Sequence, residues 1–157
     1  MPPIPTTTAL LKRHWLVVLL VCLELLFFLW FAYQPWLRLE PPLPEESLMI
    51  WRSIAYVIAI IGFPLASLLR HVQLRLNQTM PGPEPAAKRY LFTIVTAMSF
   101  AEALGLIGLA LYKLGDSQNT LNIFLSLSFL AVLLSRPKPA EYQAILEQLK
   151  QQRHNDL

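Results

Sequence analysis

The sequence predicts an all-α polytopic membrane protein, with four transmembrane helices followed by a short C-terminal amphipathic helix. Three observations predict it. Of the 157 residues, 55% are hydrophobic and only 15% charged, against about 25% charged in ordinary soluble domains. The apolar residues gather into four blocks separated by polar, proline-rich segments, and the mean hydropathy is +0.45. Of the 13 lysines and arginines, all but Arg38, Arg52 and Lys113 fall on one side of a four-span threading. The positive-inside rule then expects both termini in the cytoplasm, with the chain integral to a plasma or inner membrane. The net charge of +3 is therefore a topology signal. No basic patch interleaved with aromatics accompanies it, so nucleic acid is not an expected partner.

Residues 1–139 are expected to form the transmembrane domain. Its spans cover about 15–33, 48–69, 90–112 and 120–134. The first three approach or exceed the roughly 20 residues a helix needs to cross the hydrocarbon core. The fourth is shorter, and spans if Asn119 and Arg136 mark its ends or if the bilayer thins locally. Trp15, Trp30, Tyr33, Trp36, Trp51, Tyr90 and Tyr112 lie at span ends, where amphipathic rings favour the headgroup level. The first span is too long for a cleaved signal peptide, and no small-x-small site follows it. Cys22, the single cysteine, has no companion for a disulfide or a metal and reads as a small apolar residue.

The connections carry geometry. Residues 34–47 hold Pro35, Pro41, Pro42 and Pro44, then Glu45 and Glu46, an extended loop running into a helix start. Gly62 and Pro64 predict a kink in span two. That helix is expected to continue as a polar segment through Arg70–Asn77, until Pro81-Gly82-Pro83 stops it. Asn77-Gln78-Thr79 matches a glycosylation sequon, but it falls on the expected cytoplasmic side. Gly115 suits a left-handed cap of span three, and Asp116, Ser117 or Asn119 can cap span four, making a close antiparallel hairpin.

Residues 140–157 form an expected cytoplasmic amphipathic helix and tail. Tyr142, Ile145, Leu146 and Leu149 fall at i, i+3, i+4 and i+7. Such a stripe either rests on the membrane or on the protein's own cytoplasmic ends, or docks another subunit by helix-in-groove contact.

Two acids stand inside the apolar blocks. Glu24 is roughly 13 Å and Glu102 roughly 18 Å from the cytoplasmic ends of their spans, at about 1.5 Å per residue. An ionised carboxylate at that depth costs at least about 2.5–3.5 kcal/mol, and desolvation favours the neutral acid. No lysine or arginine lies at comparable depth, since Arg52 is near the outer face and can reach Glu45 or Glu46. Glu24 and Glu102 can share a proton or a hydrogen bond, with Ser99, Ser126 and Ser128 as nearby donors. They act either as interhelical glue or as a proton- or ion-binding site. Ala97, Ala101, Gly105 and Gly108 form a small-residue strip beside Glu102, which permits close approach of a partner helix.

Residues 100–109, Phe-Ala-Glu-Ala-Leu-Gly-Leu-Ile-Gly-Leu, resemble the ion-binding helix of the rotor-ring proteolipids, the c subunits of rotary ATPases. The resemblance implies that Glu102 binds a proton or sodium ion, and the four-span length resembles the duplicated vacuolar-type proteolipids. As a whole the chain also resembles the small four-helix membrane proteins of prokaryotes.

Enzyme signatures are not found in the sequence. His14, His71 and His154 have no metal-ligand spacing and read as solvated boundary or tail residues. No phosphate-binding glycine loop, nucleophile triad or cofactor-attachment signal stands out, so no catalytic residue, metal or cofactor is expected. The expected function is that of a non-enzymatic accessory or interaction subunit of a larger membrane complex. Its expected partners are the lipid bilayer and other membrane subunits or copies of itself. The alternative is a proton- or sodium-binding membrane protein using Glu102.

Overall fold

The computed structural model describes residues 7–79 and 85–155, with side chains outside 7–11, 149 and 151–155. The described residues form five α-helices: α1 Thr7–Ala32, α2 Glu45–Thr79, α3 Ala86–Lys113, α4 Gln118–Ser135 and α5 Pro139–Asn155. The first four are long and apolar enough to cross a membrane. Their outward faces carry large exposed apolar side chains, among them Leu20 and Leu23 on α1, Ile54 and Ile61 on α2, and Phe129 and Leu133 on α4. Water-soluble surfaces rarely carry apolar area on that scale, whereas lipid accepts it. At 35 residues α2 is roughly 52 Å long, well beyond a hydrocarbon core of about 30 Å. Its polar C-terminal part therefore projects past the bilayer as a continuous helix, and it runs unbroken through Pro64. The sequence-expected stop at 81–83 lies outside the described residues.

α3 is the central helix, and it packs on α1, α2, α4 and α5. Its core side carries Ile94, Ala97, Met98, Ala101, Leu104 and Leu111. α1 meets it through Val18, Val21, Leu25 and Phe28, spaced three or four apart as one helical face requires. Between apolar helices in lipid, packing contacts take the place of hydrophobic driving force. The small residues of α3 show this directly. A Cβ at Gly105 would lie 2.9 Å from Leu25 of α1, and one at Gly108 would lie 2.5 Å from the Cβ of Phe124 on α4. Ala97 and Ala101 are buried as well, and the Ala101 carbonyl accepts a hydrogen bond from Ser128 Oγ of α4. The strip expected to admit a partner helix is packed by the chain's own α1 and α4.

The α3–α4 turn closes as expected. Gly115 has φ +111°, its N–H reaches the Tyr112 carbonyl and the Asp116 N–H reaches Leu111. That pair of bonds is the Schellman arrangement. Among the three candidate caps it is Ser117 whose side chain accepts from the Thr120 N–H. The loop from α1 runs beside this turn, with Leu39 N–H on the Lys113 carbonyl and Leu43 N–H on that of Leu114.

Candidate functional site

Three polar clusters lie along the bundle, and they differ in what they can do. At the end away from the termini, Asp116 is fully buried and paired with Arg52 of α2, Nη2 to Oδ1 at 2.6 Å and Nε to Oδ2 at 2.9 Å. Ser117 N–H adds a bond of 2.6 Å to Oδ1, and Arg38 Nη2 donates to the Asp116 carbonyl at 2.9 Å. Burial alone would push the Asp116 carboxyl up, yet the Arg52 guanidinium and the Ser117 N–H together hold it below the ordinary aspartate value. Arg52 does reach Glu45, at 3.6 Å, but its main partner is Asp116, which the sequence offered only as a cap. This cluster ties α2, the first loop and the α3–α4 turn together. Its carboxylate is fully buried and already paired, so we read the cluster as structural.

At the opposite, basic end, α5 folds back onto the bundle. Tyr142 and Ile145 are 2% and 0% exposed and belong to the main core, with Leu146 packed beside them. The expected docking stripe is therefore consumed within the chain, and Tyr142 and Ile145 are not a free partner surface. For Leu149 only the helical backbone is described. Burial also raises the Tyr142 phenol above its ordinary value. Glu141 accepts from Arg70 at 3.1 and 2.7 Å and from Tyr90 Oη at 3.1 Å. Tyr90 Oη in turn accepts the Lys138 N–H at 3.0 Å. His14, expected at a solvated boundary, is 2% exposed. Its ring lies 5.2 Å from that of Tyr90 and 6.4 Å from that of Tyr142. His71 is exposed, as expected. Asn77 of the sequon is buried, donating to Thr93 Oγ1 at 3.1 Å, so its amide is committed to packing. Sequence reading missed this cluster because its members are far apart in the chain and none is unusual where it stands.

The third cluster is the midmembrane pair. Glu24 and Glu102 face each other across α1 and α3, close enough for their carboxyls to interact. Both are half-buried, on the seam between the two helices. The local sequence explains the meeting. Gly105 sits three residues after Glu102 and receives Leu25, the residue after Glu24. The absence of a side chain at Gly105 lets α1 close on α3 at the level of the acids. The expected serine donors are not used here. Ser99 Oγ donates to the Val95 carbonyl of its own helix at 3.1 Å, Ser128 Oγ serves the Ala101 carbonyl, and Ser126 is exposed. A carboxyl–carboxyl hydrogen bond needs a proton on at least one partner. Two carboxylates in contact repel, and the lipid interior penalises each charge further.

No family model matches the chain, and no characterised protein or solved structure is significantly similar to it. The likeness to rotor proteolipids thus stands on residues 100–109 alone.

Proposed function

We propose that the chain is a non-enzymatic integral membrane protein that holds a proton at midmembrane, between Glu24 and Glu102, with its basic end in the cytoplasm. The observation that carries this is the approach of the two carboxyls across α1 and α3, where a shared proton spares the cost of two adjacent charges. The pair is half-buried on a helix seam, a position from which a proton can exchange when the helices part. A proton fits better than sodium, because hard metal cations take several oxygen ligands. The neighbouring Ser99 and Ser128 hydroxyls turn to carbonyls of α3 rather than to the acids. Among the described residues no group of three or more histidine, cysteine or acidic side chains is placed to hold a metal ion.

A role as an accessory subunit of a larger membrane complex needs a docking surface. Gly105 and Gly108 of α3 and Tyr142, Ile145 and Leu146 of α5 pack within the chain, so such docking would use another surface.

Dicyclohexylcarbodiimide, which attacks protonated carboxyls in apolar settings, tests the reading. It is expected to modify Glu102 or Glu24 in membranes at neutral pH, more slowly as pH rises and the proton leaves. Protection by sodium at constant pH would reassign the pair to a sodium ion. Modification indifferent to pH would mark a permanently neutral packing contact and end the proton-binding reading.

A further inference from the structure

The cleft between α2 and α3 at the basic end points to a second, independent role. Along α2 the buried residues are Leu48, Ala55 and Ala59, and then none before Asn77. The helix stands off α3 over that interval and rejoins the bundle through Asn77 and through Arg70 on Glu141 of α5. The gap is a cavity of about 510 Å³, within the roughly 300–1,000 Å³ typical of small-ligand sites. Phe63, Phe100 and Leu104 line its apolar part. A Cβ at Gly62 would meet nothing within 4 Å, so that wall is open. Pro64, which lacks an N–H, removes a helix hydrogen bond just beyond it.

The mouth has a different chemistry. Arg70, His71 and Lys138 line it against one acid, Glu141. Glu141 takes the two terminal nitrogens of Arg70, and Lys138 stands 3.8 Å from it while remaining half-exposed. The Arg70 Nε–H is buried with no acceptor, a condition that buried donors seldom keep. An apolar slot below a cationic rim matches an amphiphile with an anionic head.

We propose that this cleft binds one anionic glycerophospholipid, an acyl chain lying between α2 and α3 and the phosphate at the Arg70, His71 and Lys138 rim. Basic pockets between transmembrane helices on the positively charged side bind such headgroups by the same logic.

The test uses the full chain in detergent, exchanged with dioleoyl phosphatidylglycerol or dioleoyl phosphatidylcholine and weighed by native mass spectrometry. One phosphatidylglycerol should be retained with a preference of about tenfold over phosphatidylcholine, as one or two added cations near a headgroup provide. The double variant His71→Gln/Lys138→Gln, which leaves the Arg70–Glu141 pair in place, should lose most of that preference. Gly62→Leu projects into open space and should fold, yet it should reduce retention of either lipid by filling the slot. Equal retention of the two lipids, a preference unchanged in the double variant, or retention unchanged in Gly62→Leu overturns the proposal. Displacement of the lipid by millimolar inorganic phosphate alone would also overturn it, by making the rim a free-anion site.

Discussion

At the scale of single residues, chemistry concentrates where charge is hardest to hold. Both midmembrane acids were legible in the sequence, because a carboxyl inside an apolar span is conspicuous. Their approach was not legible, since it depends on the rotation of α1 about α3, which Gly105 and Leu25 fix. Gly105→Leu should therefore separate the acids and weaken the α1–α3 contact, with an overpacking cost of about 1–3 kcal/mol. A lowered detergent melting temperature together with changed carbodiimide reactivity at Glu102 would show both effects. Asp116 was legible only as a turn residue, because nothing in sequence links it to Arg52 of α2. Arg52→Ala leaves that carboxylate buried and alone, and should cost about 3 kcal/mol, the low end for a broken buried pair because Arg52 is about one-third exposed. The same pair sets an acid limit. Since Asp116 titrates below its ordinary value, its contribution to stability is complete above about pH 3.9 and is lost as pH falls through the lowered folded value. Thermal unfolding between pH 6 and about pH 3 should show that loss in the native chain, and a smaller one in Asp116→Asn.

Helices were the most legible level. Length and apolar run identified α1 to α4, and the spacing of Tyr142, Ile145 and Leu146 identified α5. What each face touches was hidden, because periodicity marks an apolar side without naming its partner. The α5 stripe packs into the core rather than standing open, held by Tyr90 and by Arg70 on Glu141. Tyr90→Phe removes the acceptor of the Lys138 N–H and a donor to Glu141, a loss of about 1–3 kcal/mol. Limited proteolysis should then cut beyond Ser135 faster than in the native chain, while the four spans stay protected. Unchanged protection would mean that Tyr142 and Ile145 hold α5 without the Tyr90 hydroxyl.

The whole molecule is a bundle organised on α3, braced by ion pairs at both ends and carrying neutral-capable acids between them. Charge asymmetry gives an expected orientation without any contact, because basic residues resist translocation wherever the side chains later pack. With Cys22 replaced, single cysteines at Ser117 and Glu45 should react with an impermeant maleimide added outside intact cells. A cysteine at Lys150 should react only after permeabilisation, and outside labelling of that site would reverse the orientation.

The midmembrane proton is most directly tested by infrared spectroscopy of the protein in lipid, titrated from neutral to alkaline pH and compared with Glu24→Gln/Glu102→Gln. A proton held between Glu24 and Glu102 predicts a protonated-carboxyl carbonyl band at neutral pH that is missing from the double variant. The band should give way reversibly to carboxylate as pH rises while the helices remain intact. A neutral-pH spectrum with no such band, or a band that persists until the protein unfolds, would contradict it.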